Sequence, residues 1–171
     1  ARYRLPVILS TGMSTLGEVE MALAILAYGF IGAPDAPCPE AFLKAYVSPE
    51  GGRALAEHVT LLHCTTEYPA AMEDVNLRAM DTLAAAFGLP VGFSDHSRGV
   101  VAPIAAVARG ACVIEKHFTL DKSLPGPDHA ASLDPAELRA MVSGVREAEA
   151  ALGSPRKIYG VAEGANRPVA R

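Results

Sequence analysis

Two histidines set the chemistry available to this sequence. His96 closes the cluster Ser94-Asp95-His96, and His117 closes Glu115-Lys116-His117; each cluster ends a short apolar run, Val91–Phe93 and Ala111–Ile114. Between them lies a helix-sized segment with apolar residues at Val101, Ile104, Ala105 and Ala108, closed by Gly110. Strand, helix and strand form the unit of a parallel sheet. Side chains alternate along a strand, so Ser94 shares a face with His96, and Glu115 with His117. Neighbouring strands lie about 4.8 Å apart, close enough for both imidazoles to converge on one ion. The same alternation sends Asp95 and Lys116 to the opposite face, where they can pair across the strands. A lone strand-end histidine is more often structural; two in phase at adjacent strand ends point to a metal.

Other strand ends carry polar groups too. Pro6–Leu9 is an unbroken apolar run, followed by Ser10-Thr11-Gly12-Met13-Ser14 and by a capping box at Thr15 and Glu18. The helix that follows places Val19, Ala22, Leu23, Leu26, Ala27 and Phe30 on one stripe. The loop from Ser10 to Ser14 therefore sits at a helix amino end, where hydroxyls and free amides can hold a phosphate or simply form a turn and cap. Val59–His63 is the second strand, and Thr66, Glu67 and Tyr68 lie just past its end, where a parallel sheet presents ligand-binding groups. His63 falls inside that strand and is expected to be a satisfied interior histidine, whereas His58 is expected to face solvent. The loop Thr119–Leu133 is long, rich in Pro and Gly, and carries Asp128 and His129; loops of that length are often functional.

The remaining elements frame these positions. Ile31–Val47 is proline-punctuated and predicts a loop with one short helix, and Ser48-Pro49-Glu50 starts another. A helix over Asn76–Phe87 is expected to turn Leu77, Met80, Leu83 and Ala84 inward and to stop at Gly88. The last helix has Asp134 as cap, Pro135 first and Glu137 completing the box, with Leu138, Met141, Val142 and Val145 inward. Residues 154–171 lack periodicity and read as a linker.

Composition narrows the class. A chain of 171 residues, 50% of them hydrophobic, can bury the core of one domain. Its formal charge of −4, with both signs interspersed, leaves no basic footprint for nucleic acid or a membrane surface. No apolar run reaches the length of a membrane span, and the first residues lack the apolar core and cleavage site of a signal peptide. Three cysteines without CxxC spacing, two of them (Cys64 and Cys112) in strand-like runs, are expected to be reduced and buried, which suits the cytoplasm.

Four βα units with polar clusters at every strand end suggest either a doubly wound sheet or a (β/α)8 barrel. A doubly wound nucleotide fold would show a glycine-rich first turn, and no GxGxxG is present. A full barrel needs eight units and about 200 residues or more. The expected architecture is thus α/β, with residues 1–153 forming the second half of a TIM-type barrel.

The segments ILSTGMS, LLHCTTEYP, VNL, GFSDHS, IEKHFTLD, GPDH and SLDP occur in an order that resembles the N-acetylneuraminate (sialic acid) synthase family. The resemblance covers nearly the whole chain and implies strands five to eight of the barrel, followed in the family by an antifreeze-like domain. It implies condensation of phosphoenolpyruvate with an N-acetylated sugar such as N-acetylmannosamine; relatives that make legionaminic and pseudaminic acids share the motifs. It implies a divalent metal, manganese first with magnesium or cobalt as alternatives, on His96 and His117. By the same resemblance Ser10 and Ser94 bind the phosphate of phosphoenolpyruvate, Tyr68 lines the sugar pocket, and Glu115 and Asp128 are acids near sugar and metal. Thr66 stands where some members carry an asparagine in the phosphoenolpyruvate site. The full-length family protein is a homodimer, in which the antifreeze-like domain lends an arginine to the partner's site. Three departures stand out: the first four strands with their lysines and glutamate, the antifreeze-like domain, and a longer proline-rich segment at Ile31–Pro49. A metal-dependent aldolase or hydrolase on the same histidines, and a non-catalytic half-barrel, are the rival expectations.

Overall fold

Four apolar runs form one parallel sheet, each followed by helical chain that covers the sheet's outer face. The computed structural model describes residues 5–170. The strands are β1 (Val7–Ser10), β2 (Val59–Cys64), β3 (Val91–Asp95) and β4 (Ile114–Lys116), and they lie in the order β1-β2-β3-β4, all parallel. Sequential order with helical crossovers is the half-barrel arrangement expected from the pattern of units. The first crossover holds α1 (Leu16–Ile31), α2 (Pro39–Tyr46) and α3 (Pro49–His58); the others hold α4 (Ala79–Phe87) and α5 (Val101–Ala108). The chain ends in α6 (Pro135–Leu152) and two single turns, α7 (Val161–Gly164) and α8 (Arg167–Ala170). No helix of the described residues is long and apolar enough to cross a membrane.

The helix boundaries follow local chemistry. Thr15 and Asp134 both complete capping boxes, with Glu18 and Glu137 reaching back to their amides. Pro49 occupies the first turn of α3 behind a Ser48 cap, and Gly32 and Gly88 end α1 and α4 in the left-handed conformation. The core lies between the sheet and its helices and is built on Val19, Leu23, Leu55, Leu61, Met80, Leu83, Val91 and Phe93.

Register sorts the strand residues into two faces. Ser10 pairs with Leu62, Cys64 with Ser94, and Ser94 with Glu115, so these share the inner face; Leu61, Phe93, Asp95 and Lys116 share the face under the helices. Gly92, opposite Leu62, is on the inner face, and nothing larger fits there. A Cβ at that position would stand 2.5 Å from the Val113 carbonyl oxygen and 2.6 Å from a Leu62 methyl.

Several expectations are corrected. β4 begins at Ile114 rather than Ala111, which leaves Cys112 outside the strand and exposed rather than buried. α4 starts at Ala79 rather than Asn76, because Asn76 takes a φ of 45° that no right-handed helix can include. Ala84 is exposed; the stripe that packs is Met80 and Leu83, three residues apart. α5 buries Ala102, Pro103, Ala106 and Val107, not Val101 and Ala108: all eight of its residues are apolar, so periodicity carried no contrast. In α6, Met141 is buried but Val142 is 47% exposed, because it faces a groove between α6, α5 and β4 that no other described element covers. His58 does not face solvent; its side chain is 17% exposed and its ring lies 5.1 Å from that of Phe30 on α1.

Replacing Gly92 by alanine forces backbone, not a flexible side-chain tip, to move. Gly92→Ala is expected to lower unfolding free energy by about 1–3 kcal/mol, measured by urea denaturation, while Gly52→Ala, in open space on α3, is expected to be neutral or stabilising.

Candidate functional site

The carboxyl ends of β3 and β4 bring His96 and His117 together. Their ring centroids are 5.4 Å apart with planes at 86°. Tyr68, on the segment after β2, covers both: its ring centroid lies 4.2 Å from that of His96 and 5.3 Å from that of His117. Tyr68, His96, His117 and Asp128 line one small cavity, whose floor also includes Asp95, Ser97, Lys116 and Ala131. A larger cavity lined by Lys157, Tyr159 and Arg167 belongs to the tail and contains none of the strand-end residues.

Hydrogen bonds fix the state of His96. Its Nδ1 lies 2.8 Å from the Thr65 carbonyl oxygen. A carbonyl only accepts, so Nδ1 carries the proton, and in the neutral ring Nε2 carries the lone pair. The nearest hydroxyl, Ser94 Oγ, is 3.5 Å from Nε2 but donates its proton to Glu115 Oε1 at 2.7 Å. The Nε2 lone pair is therefore left available beside the second imidazole. A histidine whose far nitrogen is tied to a backbone carbonyl is the usual form of a metal-ligating histidine. His117 Nδ1 lies 4.0 Å from Asp128 Oδ2.

These residues fit a divalent ion held by two imidazoles, with the remaining positions open to substrate or water. Among the described residues no group of three or more His, Cys, Asp or Glu side chains is drawn together tightly enough to hold an ion by itself.

Asp128 is placed by its loop. Thr119 Oγ1 donates to the Asp121 carbonyl at 3.0 Å and so accepts from His129 Nδ1 at 2.8 Å. The amide of Ser132 and its hydroxyl both donate to the Asp128 carbonyl, at 3.0 and 2.8 Å. His129 is thus a strut of the loop rather than a group facing the imidazoles.

The remaining sequence-predicted residues flank this centre. Ser10 is exposed at the end of β1, and Thr66 is exposed past β2. Gly12 brings the loop after Ser10 against Thr66: a Cβ there would collide with Thr66 Oγ1 and come 2.8 Å from Cys64 Sγ. The loop after β1 therefore lies directly against the segment after β2, with the amino end of α1 behind it. Ser94 is 2% exposed, and its hydroxyl is engaged by Glu115, so Glu115 stands between it and the open face. His63 stays out of the site, donating from Nε2 to the Val75 carbonyl at 2.8 Å and lying against Phe93.

Two neighbours of the site were missed in the sequence. Cys64 Sγ lies 3.9 Å from His96 Nδ1 on the inner face; alternation from Ser94 across the ladder could have found it. The Thr65 carbonyl could not have been found, because a backbone acceptor leaves no mark in residue types.

Tyr68 keeps its proton well. Partial burial against the two imidazoles raises the pKa of its phenol above the ordinary 10.0, and negative charge at Cys64, Asp128 and Glu115 adds to the effect. At neutral pH it is a hydrogen-bond donor.

Comparison with known proteins agrees with this picture. The model of the NeuB family matches residues 1–157. An N,N'-diacetyllegionaminic acid synthase of Legionella pneumophila is 49% identical over 92% of the chain and 38% of its own length. A protein of the same name from Campylobacter jejuni is 45% identical over 100% of the chain and 44% of its own. The crystal structure of an N-acetylneuraminic acid (sialic acid) synthetase from Leptospira borgpetersenii, in complex with citrate, superposes with a TM-score of 0.71 at 33% identity, over 97% of this chain and 49% of that one. The chain thus spans less than half the length of these relatives.

An ultraviolet titration of the chain against its Tyr68→Phe variant isolates one phenolate. That step is expected above pH 10, later than for a free tyrosine, and to move down when Glu115→Gln removes one of the nearby negative charges.

Proposed function

The chain belongs to the NeuB family, and from that premise we propose that it supplies the metal-binding and part of the phosphate-binding surface of a nonulosonic (sialic) acid synthase. In this reading β1 to β4 are strands five to eight of a (β/α)8 barrel, and the reaction joins phosphoenolpyruvate to an N-acetylated sugar aldehyde with release of phosphate. The observation that carries it is the convergence of His96 and His117 beneath Tyr68, with the His96 lone pair left available. The two legionaminic acid synthase relatives, which match almost the whole chain, favour a sugar with two N-acetylated nitrogens over N-acetylmannosamine.

An ion on the two imidazoles, manganese by preference, would supply Lewis-acid activation of the sugar aldehyde. The chain's own residues do the rest. Thr65 holds His96 in the tautomer that presents Nε2. The hydroxyls of Ser10 and Thr66, with the amide groups at the start of α1, cradle the phosphate, and the close approach at Gly12 keeps the two segments together. Carbon 3 of phosphoenolpyruvate attacks the aldehyde carbon, water adds at carbon 2, and the tetrahedral adduct loses phosphate by C–O cleavage. Tyr68, protonated at neutral pH, donates to a sugar oxygen. Glu115, which accepts the hydrogen bond of the Ser94 hydroxyl, and Asp128, beside His117, orient sugar hydroxyls and the attacking water. Ser94 reaches the phosphate only when substrate draws its hydroxyl from Glu115.

Lys116 borders the cavity, but its ammonium is engaged by Asp95 and the Ser97 carbonyl and is not free for substrate. Arg78, which lines a cavity with Thr11, Met13 and Ser14, is one cation beside the loop after β1; the rest of the charge that neutralises phosphate and carboxylate would come from outside these four strand ends. The assay is phosphate release from phosphoenolpyruvate, manganese and the N-acetylated sugar. A full-length protein carrying these residues is expected to turn over, and His96→Ala or His117→Ala to lower its rate by at least about 10²-fold. The 171-residue chain alone is expected to show no turnover above background. A rate near the full-length protein's from the monomeric chain would overturn this reading.

A further inference from the structure

At the ends of β3 and β4, bordering the cavity that the two histidines line, lies a polar cluster that the mechanism does not use. Asp95 and Lys116 each precede one of the two histidines and stand opposite each other in the β3–β4 register. Their side chains are 0% and 3% exposed, as deep as any apolar residue of the core. Lys116 Nζ donates to Asp95 Oδ2 at 2.5 Å and to the Ser97 carbonyl at 2.5 Å. The other carboxylate oxygen, Oδ1, accepts from the Ser97 amide at 2.8 Å. One lysine on β4 therefore grips the chain on both sides of His96, at residues 95 and 97.

Stability does not account for this arrangement. Burying two charges costs several kcal/mol for each ion, and apolar residues of similar volume often serve as well or better. Charge-assisted hydrogen bonds do supply narrow geometric tolerance. That tolerance has a use here, because β4 is three residues long and its ladder to β3 ends at Asp95 and Lys116. The histidines begin where regular pairing stops. Beyond it, the His96 carbonyl accepts from the Ala70 amide and the His117 carbonyl from the Leu133 amide, both at 2.9 Å. Those two bonds tie each histidine to a different segment and neither one to the other. At this level the Asp95–Lys116–Ser97 knot links the two strand ends, and the Ser94–Glu115 hydrogen bond links them one residue before the histidines.

We infer that the buried Asp95–Lys116 pair is a positioning device that fixes the stagger of β3 against β4 and thereby the spacing of the His96 and His117 imidazoles. The inference rests on the reading of those imidazoles as the metal-binding pair. The Ser94–Glu115 hydrogen bond stops one residue short of the histidines, whereas the knot reaches past His96 to the Ser97 carbonyl.

The test separates spacing from folding. In the doubly apolar variant Asp95→Leu/Lys116→Met, the thermal midpoint is expected to stay level or rise. Manganese affinity, read from the electron paramagnetic resonance signal of the free ion, is expected to fall about 10- to 100-fold. The nitrogen NMR resonance of the His96 Nδ1–H, bonded to Thr65 in the parent chain, is expected to shift or broaden. Asp95→Asn keeps the side-chain volume and the Ser97 contact and removes only the charge; it is expected to show a smaller loss of affinity, and it decides the matter if the apolar variant does not fold. Folded variants with unchanged manganese affinity and an unchanged His96 resonance would overturn the inference. If the parent chain shows no manganese binding that His96→Ala abolishes, the metal reading is what fails. The His96 resonance then decides the positioning role by itself: moved in the variants it stands, unmoved it falls.

Discussion

Parallel pairing of β3 with β4, with Ser94 opposite Glu115, is the constraint from which the rest of the site follows. Because strand side chains alternate, that one register puts His96 and His117 on the open face and Asp95 and Lys116 under the helices. A slip of one residue would exchange the two sets, placing imidazoles in the core and a charged pair at the surface. Both outcomes cost burial energy, so the apolar pattern of the sheet selects the same register that the chemistry needs.

The two faces then do different work. The helix face is closed and mostly apolar, and the Asp95–Lys116 pair, the one fully buried ion pair among the described residues, ties the strand ends together. The inner face is open: His96 is tied through Nδ1 and leaves Nε2 available, Tyr68 packs on the imidazoles, and the Asp128 carboxylate lies 4.0 Å from His117. Rigid backbone with unspent side-chain capacity is what a substrate site requires. The loop after β1 follows the same logic, since Gly12 lets it press against Thr66 and Cys64 without a side chain between them.

How much of this was legible in the sequence depended on contrast. The strand-end clusters were legible because a polar triplet interrupts an apolar run, and alternation then sorted Ser94 and Glu115 from Asp95 and Lys116 in the ladder, although the last two still border the histidine cavity. The caps at Thr15, Ser48 and Asp134 were legible because those side chains bond their own neighbours. The buried face of α5 was not, because a helix of eight apolar residues offers no stripe to read. His58 was misplaced because its cover, Phe30, comes from a helix 28 residues earlier, a contact that only tertiary packing creates. The tautomer of His96 was invisible for a related reason: it is set by the carbonyl of Thr65, 31 residues away.

The central claim is that the carboxyl ends of β3 and β4 form a metal-binding surface with Tyr68 as its cover. Manganese is paramagnetic and broadens the NMR signals of nuclei near it, so titrating it into the isotope-labelled chain maps its position directly. The expected result is broadening centred on His96, His117, Tyr68 and Asp128, with Asp95 and Lys116 affected next and His58 and the tail around Tyr159 untouched. Broadening centred on any other acidic cluster, or spread evenly over the surface with no focus at the two histidines, would contradict the account.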